Sequence, residues 1–405
     1  MEASELTAGT ALRRFSYLRD EVQDQLFAVR PGALRAAGSA RELGSALGAV
    51  LYSPANSPRA AERLLGGLWP SITAMVFCLE DAIADRDLGA GEAQVVQVLR
   101  AVRQKVEAAG SRAGLPFIFV RVRTPEHFER LLGMWGDLQS ELDGVVAPKI
   151  GAAGLAPYLE LAASARSGRD RALSILPILE GEDFAMRETR GEALAGLRTA
   201  FDAYSDLIPC VRIGGTDLSG LWGLRRPRDF TIYDVGVVRD IIGDVVNVMG
   251  REPSPVAISG VVWEFIRDAR VFKPRLRETP FKDEFGEQGQ QVRLELVTAA
   301  LDGLLRETLL DRANGLHGKT IIHPSHAAYV DAAHVVSHEE WESARAVLSA
   351  VEAGDGVGSL RGGERMNEPK PHAPWARRTM LRAQAFGVLQ PEHSFLALLQ
   401  DPRRG

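Results

Sequence analysis

Eight short apolar runs, each ending in polar or charged residues and separated from the next by a longer helical stretch, constrain this chain more than any other feature. They are AVLYSP (49–54), AMVFCLED (74–81), PFIFVRV (116–122), DGVVAPK (143–149), ILPILE (175–180), CVRIGGTD (210–217), VAISGVVWE (256–264) and KTIIHP (319–324). Apolar runs without polar alternation read as strands covered on both faces, the situation of parallel strands beneath layers of helix. Eight strand-plus-helix units over roughly 250 residues match the repeat of an α/β fold of the (β/α)8 barrel (TIM barrel) type. A doubly wound sheet is the rival, but it usually stops at about five to seven strands, and no GxGxxG follows the first run.

The flanks differ from this pattern. Phe15, Leu18, Val22 and Leu26 at helical spacing predict an amphipathic helix over residues 12–30, inside an N-terminal extension spanning 1–47. The barrel is expected over 48–335, with the polar stretch 265–290 as a long loop above its mouth and a helix at 291–306. Residues 336–405 form the third part. Ser337 and Glu340 stand in capping-box spacing ahead of a helix that puts Ala344, Val347, Leu348 and Val351 on one face. The glycine-rich stretch 353–363 reads as a hinge, and a second helix is expected from about Trp375 to Phe386. A hinge followed by helices predicts a separate piece that swings onto a neighbouring subunit.

Composition narrows the function. Of 405 residues, 48 are Lys or Arg and 53 are Asp or Glu, a net charge of −5, so no general basic field exists to hold nucleic acid. Cys78 and Cys210 are far apart, which argues against a disulfide scaffold or a thiolate zinc site. The first residues lack the apolar core of a signal peptide and no window resembles a membrane span, so a cytoplasmic location is expected.

In a (β/α)8 barrel catalysis takes place where the strands end. The polar strand ends are Glu80 and Asp81, Arg121, Lys149, Glu180, Asp217 and His323. Glu180 and Asp217 close adjacent runs, so their carboxylates fall within reach of one small hard cation, Mg²⁺ or Mn²⁺, which keeps waters and leaves positions for a substrate; two separately solvated acids are the plain alternative. Arg121, a lone charge in VRVR, offers planar donors to a substrate carboxylate or else merely pairs with Glu80 or Asp81. In SPANSPRA, Ser57 reads as a helix cap and Pro58 as the first helical residue, with Arg59 adding charge for an anion. HGKT at 317–320 is no P-loop, because Ala313 stands where glycine is required and a strand follows; HEEWE at 338–342 is not HExxH.

Taken in order, LYSPANSPR, CLEDAI, VRVR, GVVAPK, ILE, GGTDL and IIHPS resemble the successive signatures of the HpcH/HpaI aldolase and citrate lyase beta-subunit superfamily, over about 48–330. SYLRDEVQDQLF and ELGSALGAVLYSPA are more similar to a divergent branch, the carbon–carbon bond lyase proteins associated with tellurium-resistance gene clusters. The resemblance implies a divalent metal on Glu180 and Asp217, and Arg121 clamping the carboxylate of a 2-oxo acid with Glu80 and Asp81 behind it. Gly214 and Gly215 would let backbone amides approach that ligand. It implies a small anionic substrate, a 2-oxo or hydroxy acid unit with or without coenzyme A, and a homo-oligomer, trimer or hexamer. Acyl-CoA-cleaving relatives carry an Asp after the hinge as acid or base; RMNEPKPH places Asn367 there, with Glu368 and His372 as substitutes.

The expected reaction is a metal-dependent aldol cleavage or addition through an enolate, with Lys149 as a positive rim rather than a Schiff base. Two other readings stand beside it. The same chemistry on a phosphorylated sugar or nucleotide-like precursor would use Arg187, Arg190, Arg225 and Arg226 at the mouth. A non-catalytic metabolite-binding barrel is the other, favoured by Asn367.

Overall fold

The computed structural model describes residues 11–36, 39–151, 154–165, 173–266, 299–354, 358–359 and 366–399. The eight runs become eight parallel strands: β1 (Ala49–Pro54), β2 (Ala74–Cys78), β3 (Phe117–Arg121), β4 (Gly144–Ile150), β5 (Ser174–Leu179), β6 (Cys210–Ile213), β7 (Ala257–Ser259) and β8 (Lys319–Ile321). Their order is β7-β6-β5-β4-β3-β2-β1-β8. A parallel bridge between Gly260 and Lys319 joins the two edges and brings the sheet to a nearly closed barrel. The missing polar alternation has the expected cause: every residue of β2, β3, β5 and β6 is buried, one face inside the ring and the other under helices.

Closure is tight between β1 and β8. Gly318 adopts φ +71°, and a Cβ there would lie 2.3 Å from the Gly48 carbonyl oxygen. Only glycine fits both the backbone and the approach. On the outer wall at the same seam, Lys319 is fully buried, with Nζ 2.6 Å from Asp311 and 2.9 Å from Glu307. Arg226 pairs with Glu307 from the other side, and the Tyr233 hydroxyl donates to Asp311 at 2.9 Å. Burial pushes the Asp311 carboxyl up to about 6 against the pull of Lys319.

The underside of the barrel, at the N-terminal ends of the strands, is covered by both termini. Arg14, 1% exposed, lies 3.1 Å from Asp331, donates to the Ala46 carbonyl at 2.8 Å and to that of Ala385 at 3.4 Å, and stacks on Phe386. Phe27–Val29 pairs antiparallel with Val388–Leu389. The N-terminal helix is shorter than its periodicity predicts, Asp20–Leu26, because Phe15 takes φ +58° and breaks the run before it. Nearby, His334 is fixed on both sides: Nδ1 donates to the Val330 carbonyl at 2.8 Å and Nε2 accepts from the Gly318 amide at 3.0 Å, which defines the neutral tautomer.

Ser337 caps the helix His338–Ala353 as its spacing predicts, accepting from the Glu340 amide at 3.2 Å, with Ala344 and Val347 buried and Val351 partly exposed. The last long helix is Pro369–Phe386, longer than its apolar pattern suggests because Pro369 occupies a first-turn position, where no amide is needed. It packs beneath its own barrel, with Arg378 donating to the Gly250 carbonyl, rather than standing free of it. Within the glycine-rich stretch, Gly358–Ser359 pairs with Met366–Asn367; residues 355–357 and 360–365 lie outside the described residues. So do 267–298, which include most of the expected long loop and the start of the helix after it, Ala299–Ala313. Among the described residues no helix is long and apolar enough to cross a membrane.

Candidate active site

Arg121 ends β3, and one nitrogen of its guanidinium organises the mouth. Nη2 lies 2.6 Å from Glu80, 3.2 Å from Asp81 and 3.3 Å from Glu180. Burial alone would weaken the cation, but the surrounding negative groups outweigh it and hold the guanidinium charged. Lys149 reaches the same acids from β4, with Nζ 2.8 Å from Glu80 and 3.2 Å from Asp81, which keeps its ammonium charged.

A β-bulge places Lys149. The β4–β5 register slips between Ala147 and Ile150, and Lys149 takes φ +50°. The extra residue turns its main-chain amide out of the ladder and onto Glu180, where it donates to Oε1 at 2.8 Å. Glu180 Oε1 is therefore occupied by that amide and Arg121, whereas no hydrogen bond engages Oε2. Oε2 points at Gly214, where a Cβ would lie 2.0 Å from it. The glycine provides room for a carboxylate.

Asp217 stands across from Glu180, partly exposed and without a hydrogen-bond partner for its carboxylate among the described residues. It does not end the strand: β6 stops at Ile213, and Asp217 lies in the first turn of the short helix Gly215–Gly220. Burial, together with the charge of Asp217 and partly offset by Arg121, pushes the Glu180 carboxyl up to about 7. Burial is the larger of the two causes, and the neighbouring negative charge adds to it. Glu80, Asp81, Glu180 and Asp217 outnumber the two cations in contact with them, Arg121 and Lys149, so the mouth favours a further positive charge. One free oxygen from each of two carboxylates suits Mg²⁺, which retains waters. Among the described residues no cluster of three or more His, Cys, Asp or Glu side chains has metal-site geometry.

Other expected residues fall elsewhere. Arg59 is an exposed, left-handed N-cap of Ala60–Leu65 and is paired with Glu62 of its own helix at 2.7 Å; Ser57 and Pro58 precede the helix instead of opening it. The Gly214 amide donates to the Leu179 carbonyl and is not free for a ligand, and Gly215 lies against Val261. His323 is exposed and caps its own turn, its Nδ1 2.8 Å from the Ser325 hydroxyl. Glu368 and His372 begin the helix beneath the barrel, where His372 Nδ1 accepts from the Glu368 amide at 3.2 Å; no described contact joins either to Arg121 or Glu180. Asn367 is in the short strand before them. Of the four arginines expected at the mouth, Arg190 and Arg226 are buried in internal pairs with Asp244 and Glu307, while Arg187 and Arg225 are exposed.

Comparison with known proteins is consistent with this architecture. The model of a family described as C-C bond lyase of the TIM-barrel fold matches residues 41–388. The chain belongs to that family. No curated protein sequence matches this C-C bond lyase family member. Among solved structures, its fold is similar to a citrate lyase from Burkholderia xenovorans LB400, with a TM-score of 0.56 and 15% identity over 87% of this chain and 96% of that one. It is also similar to the protein CitE from Mycobacterium tuberculosis, solved with magnesium, acetoacetate and coenzyme A, with a TM-score of 0.51 and 19% identity over 84% and 99% of the two chains.

One inward-facing residue of this C-C bond lyase family member escaped the sequence reading. Arg212 in β6 is 1% exposed inside the ring, its Nη2 donating to the Thr320 hydroxyl at 2.6 Å. The signal was available: CVRI is an apolar strand with one charge, the pattern that singles out Arg121 in VRVR.

Proposed function

We propose that the protein is a Mg²⁺- or Mn²⁺-dependent carbon–carbon lyase or aldolase that forms or breaks a bond next to the carbonyl of a 2-oxo acid. The observation that carries this reading is Glu180, buried, raised by that burial and by the charge of Asp217, and set beside an arginine held at the head of β3. A divalent ion bound there would supply Lewis acidity that stabilises negative charge on the carbonyl oxygen as an enolate forms. Glu180 would hold that ion through Oε2, its Oε1 being fixed by the Lys149 amide. Arg121 would direct its remaining donors at the substrate carboxylate, with Glu80 and Asp81 fixing its orientation. Lys149 would keep the rim positive for an anionic substrate. The magnesium bound in the M. tuberculosis relative supports the metal, and its acetoacetate supports a small oxo-acid ligand at the mouth.

Within the same proposal we place the chain in the branch associated with tellurium-resistance clusters, on its N-terminal segments, and in the cytoplasm. We also propose a homo-oligomer in which Glu368, His372 or Asn367 serves a neighbouring subunit's mouth, since among the described residues no contact joins Glu368 or His372 to Arg121 or Glu180. The phosphorylated-substrate reading loses two of its four arginines to internal pairs. Calorimetry of the chain with Mg²⁺ and oxalate tests the proposal: ternary binding is expected, with loss of Mg²⁺ affinity in Glu180→Gln and Asp217→Asn. Unchanged affinity in both variants overturns it.

A further inference from the structure

We propose that Arg212 is a specificity-determining anion receptor in the floor of the site, selecting substrates that carry a second carboxylate. The inference rests on the lyase reading. Arg121 and Lys149 are already shared among Glu80, Asp81 and Glu180. Arg212 is different: no carboxylate lies within ion-pair distance of it among the described residues, although it is 1% exposed. Its neighbours are the Thr320 hydroxyl at 2.6 Å, the Tyr52 ring at 5.3 Å and the Cys210 thiol. Its Nε and Nη1 have no oxygen or nitrogen partner. A buried guanidinium without a counter-charge is costly, and a hydroxyl and a ring face compensate only part of it.

Its place in the ring points to what completes it. Arg212, Tyr52 and Thr320 each lie one or two residues before the C-terminal end of their strands, the level just below the mouth. The Tyr52 ring is partly exposed there, yet its hydroxyl is buried and has no partner; the Arg121 Nε is in the same state. Burial holds the Tyr52 hydroxyl up at about 12 against the pull of Arg212 and Arg121, so it is a donor at neutral pH. The atoms left without a partner among the described residues there, Arg212 Nε and Nη1, the Tyr52 hydroxyl and Arg121 Nε, can all donate. A carboxylate accepts from all of them and supplies the missing charge. A substrate whose first carboxylate meets Arg121 and whose second passes Tyr52 to Arg212 satisfies both.

Calorimetry on the full chain with Mg²⁺ tests this by comparing oxaloacetate, with two carboxylates, with pyruvate, with one. The native protein is expected to bind oxaloacetate about tenfold more tightly or better, and Arg212→Met to reduce that preference to about threefold or less with pyruvate affinity retained. Arg212→Lys, which keeps the charge, is expected to retain most of the preference, with circular dichroism confirming its fold. Equal binding of the two ligands by the native protein overturns the assignment without recourse to a variant, as does parallel loss of both ligands in a folded Arg212→Met. A native chain that binds pyruvate and Mg²⁺ without discrimination leaves the lyase reading intact and removes only this inference; one that binds neither removes both.

Discussion

The main-chain amide of Lys149 donates to Glu180 Oε1 at 2.8 Å, so the acid at the head of β5 is oriented by a backbone bulge in β4 as well as by the Arg121 side chain. Substitution at 149 can remove the ammonium without releasing Glu180. The carboxylate is more vulnerable from the opposite side.

Gly214→Ala places a methyl group where Glu180 Oε2 now lies. Overpacking of this kind costs about 1–3 kcal/mol, and here the group that yields is the proposed ligand. Mg²⁺ affinity measured by calorimetry is expected to fall together with stability in urea. A variant that loses stability but binds Mg²⁺ normally would show that Glu180 does not ligate the ion.

Arg121→Ala leaves Glu180 buried without its cation and Glu80 with Lys149 alone. Removing one partner from such a cluster costs about 3–5 kcal/mol, read as a lower urea midpoint with EDTA present. Mg²⁺ is expected to restore part of that loss, because the ion answers the same charge. Arg121→Lys should fall between, since an ammonium cannot present a guanidinium's fork.

Lys319→Met strips the cation from Asp311 on the outer wall and leaves Glu307 with Arg226 alone. The expected loss is again about 3–5 kcal/mol, with no specific effect on metal affinity. Adding Asp311→Asn should recover part of the stability, which differential scanning calorimetry would detect.

Acid lability follows from two histidines at the base of the ring. Burial lowers His317 to about 4, and His334 lies well below the ordinary range for the same reason. The unfolded chain, with histidine near 6.5, therefore binds more protons between about pH 4 and 6.5, so stability is full above this window and is lost as pH falls through it. His317 alone accounts for about 3 kcal/mol at most, and protonating His334 Nε2 also breaks its bond from the Gly318 amide. Melting temperatures recorded from pH 7 to 4.5 should decline, less steeply in His317→Asn; a flat profile for the native chain refutes this account.

The barrel was legible because strands buried on both faces carry no polar alternation; six runs contain their strand whole, and β4 and β5 each extend one residue beyond theirs. Arg121, Glu180 and Lys149 were legible as polar strand ends. Asp217 was displaced because Gly214 and Gly215 let β6 end early and a helix begin inside what reads as one run. Arg59 and His323 carry suitable chemistry, but their local partners, Glu62 and Ser325, are matters of rotamer and turn geometry. The position of the last helix depends on contacts such as Arg378 with Gly250, separated by too much chain for local pattern to reveal.

The stitching of Arg14 to Asp331 and Ala385, and of Phe27 to Leu389, has a consequence for biosynthesis. The chain as far as Leu389 must leave the ribosome before Arg14 and Phe27 meet all of these partners, and contacts of such sequence separation slow folding. Until then the lower rim, with Phe386 and the seam between the first and last staves, is open, and truncation at either end exposes the same surface.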